Sequence, residues 1–290
     1  MGYMIRTALL LGLLTGILLF LGNVIAGKTG MMIAFVIAAL MNFFSYWFSD
    51  KIVLSMYGAR EISYEEAPWL HRMVEDLARR ANIPKPPIYL VPMEQPNAFA
   101  TGRGPGHAVV AVTRGILDLL DEEELRGVLA HEIAHIKNRD VLIASIAATI
   151  AGAISMIVHW LQWALLFGWG RDEENNNNPL AIVGSILLII VTPIIAAIIQ
   201  MAISRSREYL ADETGAYICG CPLALARALE KIHNYVTQIP PAKANEGTAH
   251  LFIENPLKGE GLWELFSTHP STEKRIRRLL EIAERMGQRV

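Results

Sequence analysis

Apolar and polar stretches divide the chain into four long hydrophobic runs and two polar blocks. Residues 7–26, 31–48, 141–168 and 180–203 contain no Lys, Arg, Asp or Glu. Each approaches or exceeds the ~20 residues of helix needed to cross the hydrocarbon core of a bilayer, so four transmembrane helices are predicted. No small-residue cleavage signal follows the first run before the second begins, so it reads as a retained helix rather than a signal peptide. Gly27-Lys28-Thr29-Gly30 joins the first two runs as a tight hairpin. Gly12 and Gly16 form a small-x-x-x-small pair, which fits either close helix packing or the ordinary frequency of membrane glycines. The link 171–179, with four consecutive asparagines, is a polar loop between runs three and four.

The polar blocks carry shorter periods. Leu70, Met73, Val74 and Leu77 recur at helical spacing and predict an amphipathic helix over 61–81, which Pro84, Pro86 and Pro87 terminate. Strand signals follow at 88–91, 97–101 and 108–113, with a glycine turn through 102–106. Asp121-Glu122-Glu123-Glu124 gives an acidic first turn to a helix over 125–136. Beyond the fourth run, helices are expected over 207–216 and 222–235, then a patternless region at 239–262 and a basic closing helix over 272–286. The organisation is therefore a membrane hairpin (1–50), a first polar half (51–140), a second hairpin (141–203) and a second polar half (204–290). The fold class is mainly α, with four transmembrane helices and an α+β domain outside the bilayer.

Composition agrees with this division. Hydrophobic residues make up 52% of the 290 residues, charged residues 19%, and the mean hydropathy is +0.32. With four spans, the termini and both polar blocks share one side, which carries 24 of the 26 Lys and Arg residues. The positive-inside rule makes that side the cytoplasm. A net charge of −2 and a pI near 6.5 give no footprint for nucleic acid. Cys219 and Cys221 lie in a reducing compartment one residue apart, and read as two small residues near a helix end rather than a disulfide.

The candidate chemistry sits at His131-Glu132-Ile133-Ala134-His135, just before the third run. On a helix, residues four apart share a face, so both imidazoles can address one Zn2+ ion per chain. Glu132 is then placed to take a proton from water on that ion. A catalytic zinc needs a third protein ligand. Glu208 follows the fourth run by a few residues, as His135 precedes the third, so the second hairpin returns both to one depth. Asp212, four residues after Glu208, is placed to hold the far nitrogen of a ligating imidazole. His269, in Ser267-Thr268-His269-Pro270, is the candidate donor to an oxyanion, with Arg205 a second candidate that contacts substrate. Peptides commonly bind by adding a strand to a sheet edge, and Asn97, Ala98 and Phe99 are the residues expected to meet them.

The HEIAH motif, the SRSREYLAD segment, the NAFATG strand and the four runs together resemble the HtpX family of bacterial membrane zinc metalloproteases, which is related to the CAAX prenyl proteases. The resemblance covers nearly the whole chain. It implies a zincin-like catalytic domain with zinc on His131, His135 and Glu208, Glu132 as general base, and Asp212 supporting a histidine. It also implies an endopeptidase of the bacterial inner membrane, with termini and active site cytoplasmic. Its role would be stress response and quality control of damaged membrane proteins, with polypeptide substrates and the lipid bilayer as partners. Three other readings compete: a narrow peptidase processing a lipidated C-terminus, an adaptor with structural zinc, and a transporter. Four spans are few to enclose an intramembrane chamber, a structural site would not need Glu132, and no run carries a transporter's charges.

Overall fold

The computed structural model describes residues 2–150, 205–239, 251–253 and 270–289. Its first element, α1 (Gly2–Trp47), is folded back on itself. Asn42 Nδ2 donates to Thr15 Oγ1 at 2.9 Å, 27 residues away in sequence. A straight helix would separate them by about 40 Å. The reversal falls at Gly27, whose φ of +56° a residue with a Cβ rarely adopts. The chain therefore reverses direction between the first two apolar runs. The second arm, Gly27–Trp47, is 21 residues long and apolar enough to cross a membrane. Among the described residues it is the one helix that meets that standard; Leu11–Phe20 and Val141–Ile150 are shorter apolar helices. Most of the third expected span, all of the fourth, and the loop between them lie outside the described residues.

The candidate span ends in exposed aromatic residues, Phe43, Phe44, Tyr46, Trp47 and Phe48. Lys51 sits over the Phe48 ring at 5.6 Å and Arg103 over Trp47 at 4.5 Å. Rings with a cation beside them suit a membrane–water boundary. A short helix, α2 (Ser49–Met56), then leads to a four-stranded sheet.

The strands are β1 (Arg60–Glu61), β2 (Ile88–Val91), β3 (Ala98–Gly102) and β4 (Ala108–Thr113), in the order β1-β2-β4-β3. β2 and β4 are parallel, while β1 and β3 pair antiparallel with their neighbours, so β3 is an edge. Both faces are covered. Ala98, Ala100, Val110 and Val112 face the main core, and Phe99, Val109 and Ala111 face Val53, Leu54 and Ala148. That is why β4 reads as a continuous apolar run rather than an alternation.

Helix α3 (Pro68–Ala81) buries the expected Leu70, Met73, Val74 and Leu77, but starts at Pro68 rather than at 61. Glu61 belongs to β1, Ser63 N–H turns onto Glu66 Oε2 at 3.0 Å, and proline suits the first helical position. Next come α4 (Arg114–Leu119), α5 (Glu122–Lys137) and α6 (Val141–Ile150), then α7 (Arg205–Cys219), α8 (Pro222–Gln238) and α9 (Thr272–Arg285). α5 is the central helix of the main core, against α3, α7 and α8.

The cysteines correct the sequence reading. Cys219 and Cys221 form a disulfide. Gly220 between them has φ +73°, which tightens the chain until their Cα atoms are 5.2 Å apart, within disulfide reach.

Candidate metal centre

The helix that carries the histidines is fixed at its start. Asp121 Oδ1 accepts from the Glu124 amide at 2.9 Å and Glu124 Oε2 from the Asp121 amide at 3.1 Å, a capping box. Glu124 is buried and also takes Lys231 Nζ at 2.7 Å, which ties α5 to α8.

Two turns on, His131 and His135 share one face. Their rings are perpendicular, with centroids 4.6 Å apart and Nε2 atoms 3.0 Å apart. Glu208 reaches in from α7, with Oε2 3.6 Å from His131 Nε2 and Oε1 3.5 Å from His135 Nε2. Two ligand atoms each about 2.1 Å from one ion, at the tetrahedral angle, stand roughly 3.4 Å apart. The three separations bracket that value, so this donor set fits one divalent ion. Close approach of α7 depends on Gly215, where a Cβ would lie 2.9 Å from the His131 nitrogen and 3.0 Å from the Ala130 carbonyl carbon.

A carboxylate stands behind each imidazole. His131 Nδ1 is 2.9 Å from Asp212 Oδ1, and His135 Nδ1 is 3.1 Å from Asp140 Oδ2. Such partners turn the other ring nitrogen toward an ion. Arg275 of α9, only 1% exposed, grips Asp212 through Nε at 2.9 Å and Nη2 at 2.7 Å. Its Nη1 also donates to the Ile253 carbonyl at 3.3 Å.

Charge in the site is unbalanced. Burial pushes the Asp212 carboxyl up, but the charge and hydrogen bonds of Arg275, then those of His131, bring it down to about 2. Burial opposes a charged His135, yet Asp140, then Glu208 and Glu132, raise its pKa to about 10. Burial also raises Glu132, against the pull of His131 and His135. In the metal-free protein the imidazoles carry part of the positive charge that these carboxylates demand, a role that a divalent cation would take over. Glu132 itself faces the sheet, where its Oε2 accepts from the Ala100 amide of edge strand β3 at 2.9 Å.

Residues 64–283 match Peptidase family M48, a span that takes in the whole cluster. The chain belongs to peptidase family M48. The Protease HtpX homolog of Aquifex aeolicus is 72% identical over 275 residues, covering 94% of this chain and 91% of that one. That of Persephonella marina is 65% identical over 286 residues, 98% of each. The crystal structure of S. mikatae Ste24p aligns with a TM-score of 0.53 at 18% identity, over 95% of this chain and 65% of that one, a likeness of fold. As an HtpX-type M48 protease, the chain is a membrane-associated peptidase whose family implies a metal ion.

The M48 fold brings His131, Glu132, His135, Glu208 and Asp212 together. The strand residues are placed differently from one another. Asn97 spends its side chain on the protein's own backbone, donating to Leu251 O at 3.1 Å and accepting from Ile253 N–H at 3.0 Å. Phe99 packs on Tyr57 on the far face of the sheet, and Ala98 is buried in the main core. The outward amides of β3 at Ala100 and Gly102 donate to Glu132 Oε2 and Ser145 Oγ. Arg205 is the first residue of α7, one turn before Glu208. His269 lies outside the described residues.

Sequence reasoning missed Asp140 and Arg275. Arg275 had a readable signal, because it falls on the apolar stripe of α9 with Leu279 and Ile282. A charged residue on a buried stripe calls for a buried partner. Asp140 had none, being five residues from His135, beyond the last turn of α5.

Proposed function

We propose that the chain is a zinc endopeptidase that hydrolyses peptide bonds at the cytoplasmic face of a bacterial inner membrane. His131, His135 and Glu208 would hold one zinc, and Asp212 would orient His131. The observation that carries this is the triangle of donors 3.0 to 3.6 Å apart, with Glu132 beside it on the sheet edge. When bound, zinc supplies Lewis acidity to the scissile carbonyl and brings the pKa of water toward about 7.

The protein's own groups do the rest. Glu132 takes the proton of the attacking water and passes it to the leaving nitrogen. Burial favours its protonated form, which suits a group that must both accept and return a proton. Edge strand β3 would align the substrate backbone through its outward carbonyls, its Ala100 amide being held by Glu132, and His269 would donate to the oxyanion, with Arg205 as a further donor to substrate. Three donors cluster among the described residues, which suits a catalytic site with an open position better than a closed structural one.

The cytoplasmic placement is supported by the 24 of 26 basic residues on one side of a four-span arrangement. The two polar halves, 51–140 and 204–290, would then form one zincin-like catalytic domain. Substrates would be damaged membrane proteins, cleared in quality control under stress. The test strips the detergent-purified protein with a chelator and titrates zinc back against cleavage of an unfolded membrane protein. Activity returning at one equivalent supports the reading; chelator-insensitive cleavage overturns it.

A further inference from the structure

Only three residues, 138–140, join the motif helix α5 to the apolar helix α6. The joint is unusual. Arg139 has φ +61°, a left-handed conformation rare for a residue with a side chain. Asp140 bonds both ways along the chain, its N–H donating to His135 O at 3.2 Å and its carbonyl accepting from Ala144 N–H at 3.4 Å. It therefore occupies the cap position of α6. A capping carboxylate ordinarily accepts amides of its own first turn. Here Oδ2 turns to His135 Nδ1 at 3.1 Å instead, and Oδ1 is buried with no hydrogen-bond partner among the described residues. The positive end of α6 stabilises the charge in that position.

One and a half turns further along α6, Ser145 is 0% exposed and meets β3. Its Oγ donates to Val141 O at 2.7 Å, accepts from Gly102 N–H at 3.0 Å, and accepts from Thr101 Oγ1 at 2.7 Å. A serine in an apolar helix commonly makes the first of these bonds. The other two are the distinctive ones. In an antiparallel edge pair, alternate amides point outward. Ala100 and Gly102 are successive outward amides of β3, and they go to Glu132 on α5 and Ser145 on α6.

We propose that Asp140 and Ser145 are positioning residues through which the apolar helix α6 sets the metal ligand His135 and the edge strand β3 relative to each other. α6 is thereby a working part of the active site and not only an anchor. A shift of α6 against α5 moves both the imidazole and the strand. The proposal rests on the zinc reading for the metal half and on the fold alone for the strand half.

The test uses the full-length protein in detergent, with zinc affinity measured by chelator competition and exchange of the β3 amides by hydrogen–deuterium exchange. Asp140→Ala is expected to weaken zinc 10- to 100-fold, the range for loss of a carboxylate behind a ligating histidine. It should also alter the absorption spectrum of the cobalt-substituted protein. Asp140→Asn, nearly isosteric and still an acceptor, is expected to fall between; it also serves if the alanine variant does not fold. Ser145→Ala is expected to speed exchange in 98–102, with Ser145→Thr restoring protection. Wild-type zinc affinity in both Asp140 variants, or unchanged β3 exchange in Ser145→Ala, overturns the proposal while leaving the peptidase reading intact. A wild-type protein that binds zinc but cleaves nothing would sink the peptidase reading, and both arms here would still be decided.

Discussion

The amide of Ala100 donates to the carboxylate of Glu132 across 2.9 Å, and so joins the edge strand of the sheet to the helix that carries both histidines. A peptide pairing with β3 would thus lie along the same line as the proposed base. The same helix carries His131 and His135 on the neighbouring face, so strand, base and the candidate ligands are held in register by one short contact between two elements.

Gly215 lets α7 approach the backbone of α5 at His131. Gly215→Ala would force the helices apart and carry Glu208 and Asp212 away from the imidazoles. The expected cost is about 1–3 kcal/mol of stability, as for other overpacked cores. Zinc affinity should fall with it. Chelator competition and thermal unfolding check both, and a variant with unaltered metal affinity would contradict the placement of α7.

Arg275 and Asp212 form a buried two-pronged pair, each 1% exposed. Arg275→Ala leaves the buried carboxylate without its guanidinium and with only His131 beside it, with an expected loss of up to about 3–5 kcal/mol. Arg275→Lys keeps the charge but not the planar fork, so only part of the loss should be recovered. Denaturant unfolding of the metal-free protein gives the order wild type, Lys, Ala. Equal stability of all three would show that the pair is not closed in solution.

The metal-free protein should respond to pH at both ends. His135 is raised from 6.5 to about 10, so its contribution is fully present below about 6.5 and is lost as pH rises through 10. Asp212 is lowered from 3.8 to about 2, so its contribution is present above about 3.8 and is lost as pH falls through 2. The melting temperature should decline on both sides of that interval. Zinc binds the neutral imidazole, so its affinity should rise with pH across the range in which His135 loses its proton. Proton release on titrating zinc into the metal-free protein measures this directly.

Much of this arrangement is legible in the sequence because it rests on local spacing. The four-residue step from His131 to His135, the one from Glu208 to Asp212, and the acidic run that opens at Asp121 each need only a helix to take effect. The turn at Gly27 reads for the same reason, since a glycine pair between two apolar runs has one obvious use. The relations that failed to show are those made across the fold. The start of α3 was misread because Glu61 is drawn into β1 by pairing with Tyr89. The 1-2-4-3 strand order depends on a parallel pairing that alternation does not encode. Cys219 and Cys221 meet because Gly220 takes a left-handed turn. Arg275 reaches Asp212 across 63 residues, and only its place on an apolar stripe hinted at a buried partner.

Glu132 is the proposed base of a zinc peptidase built on His131, His135 and Glu208. The most direct test compares wild type with Glu132→Gln, purified in detergent, for bound zinc and for cleavage of an unfolded membrane protein. The account predicts one zinc in each and a rate for the variant lower by about 10²–10⁴-fold, the usual worth of a general base. A variant that holds its zinc and cleaves at the wild-type rate would contradict it.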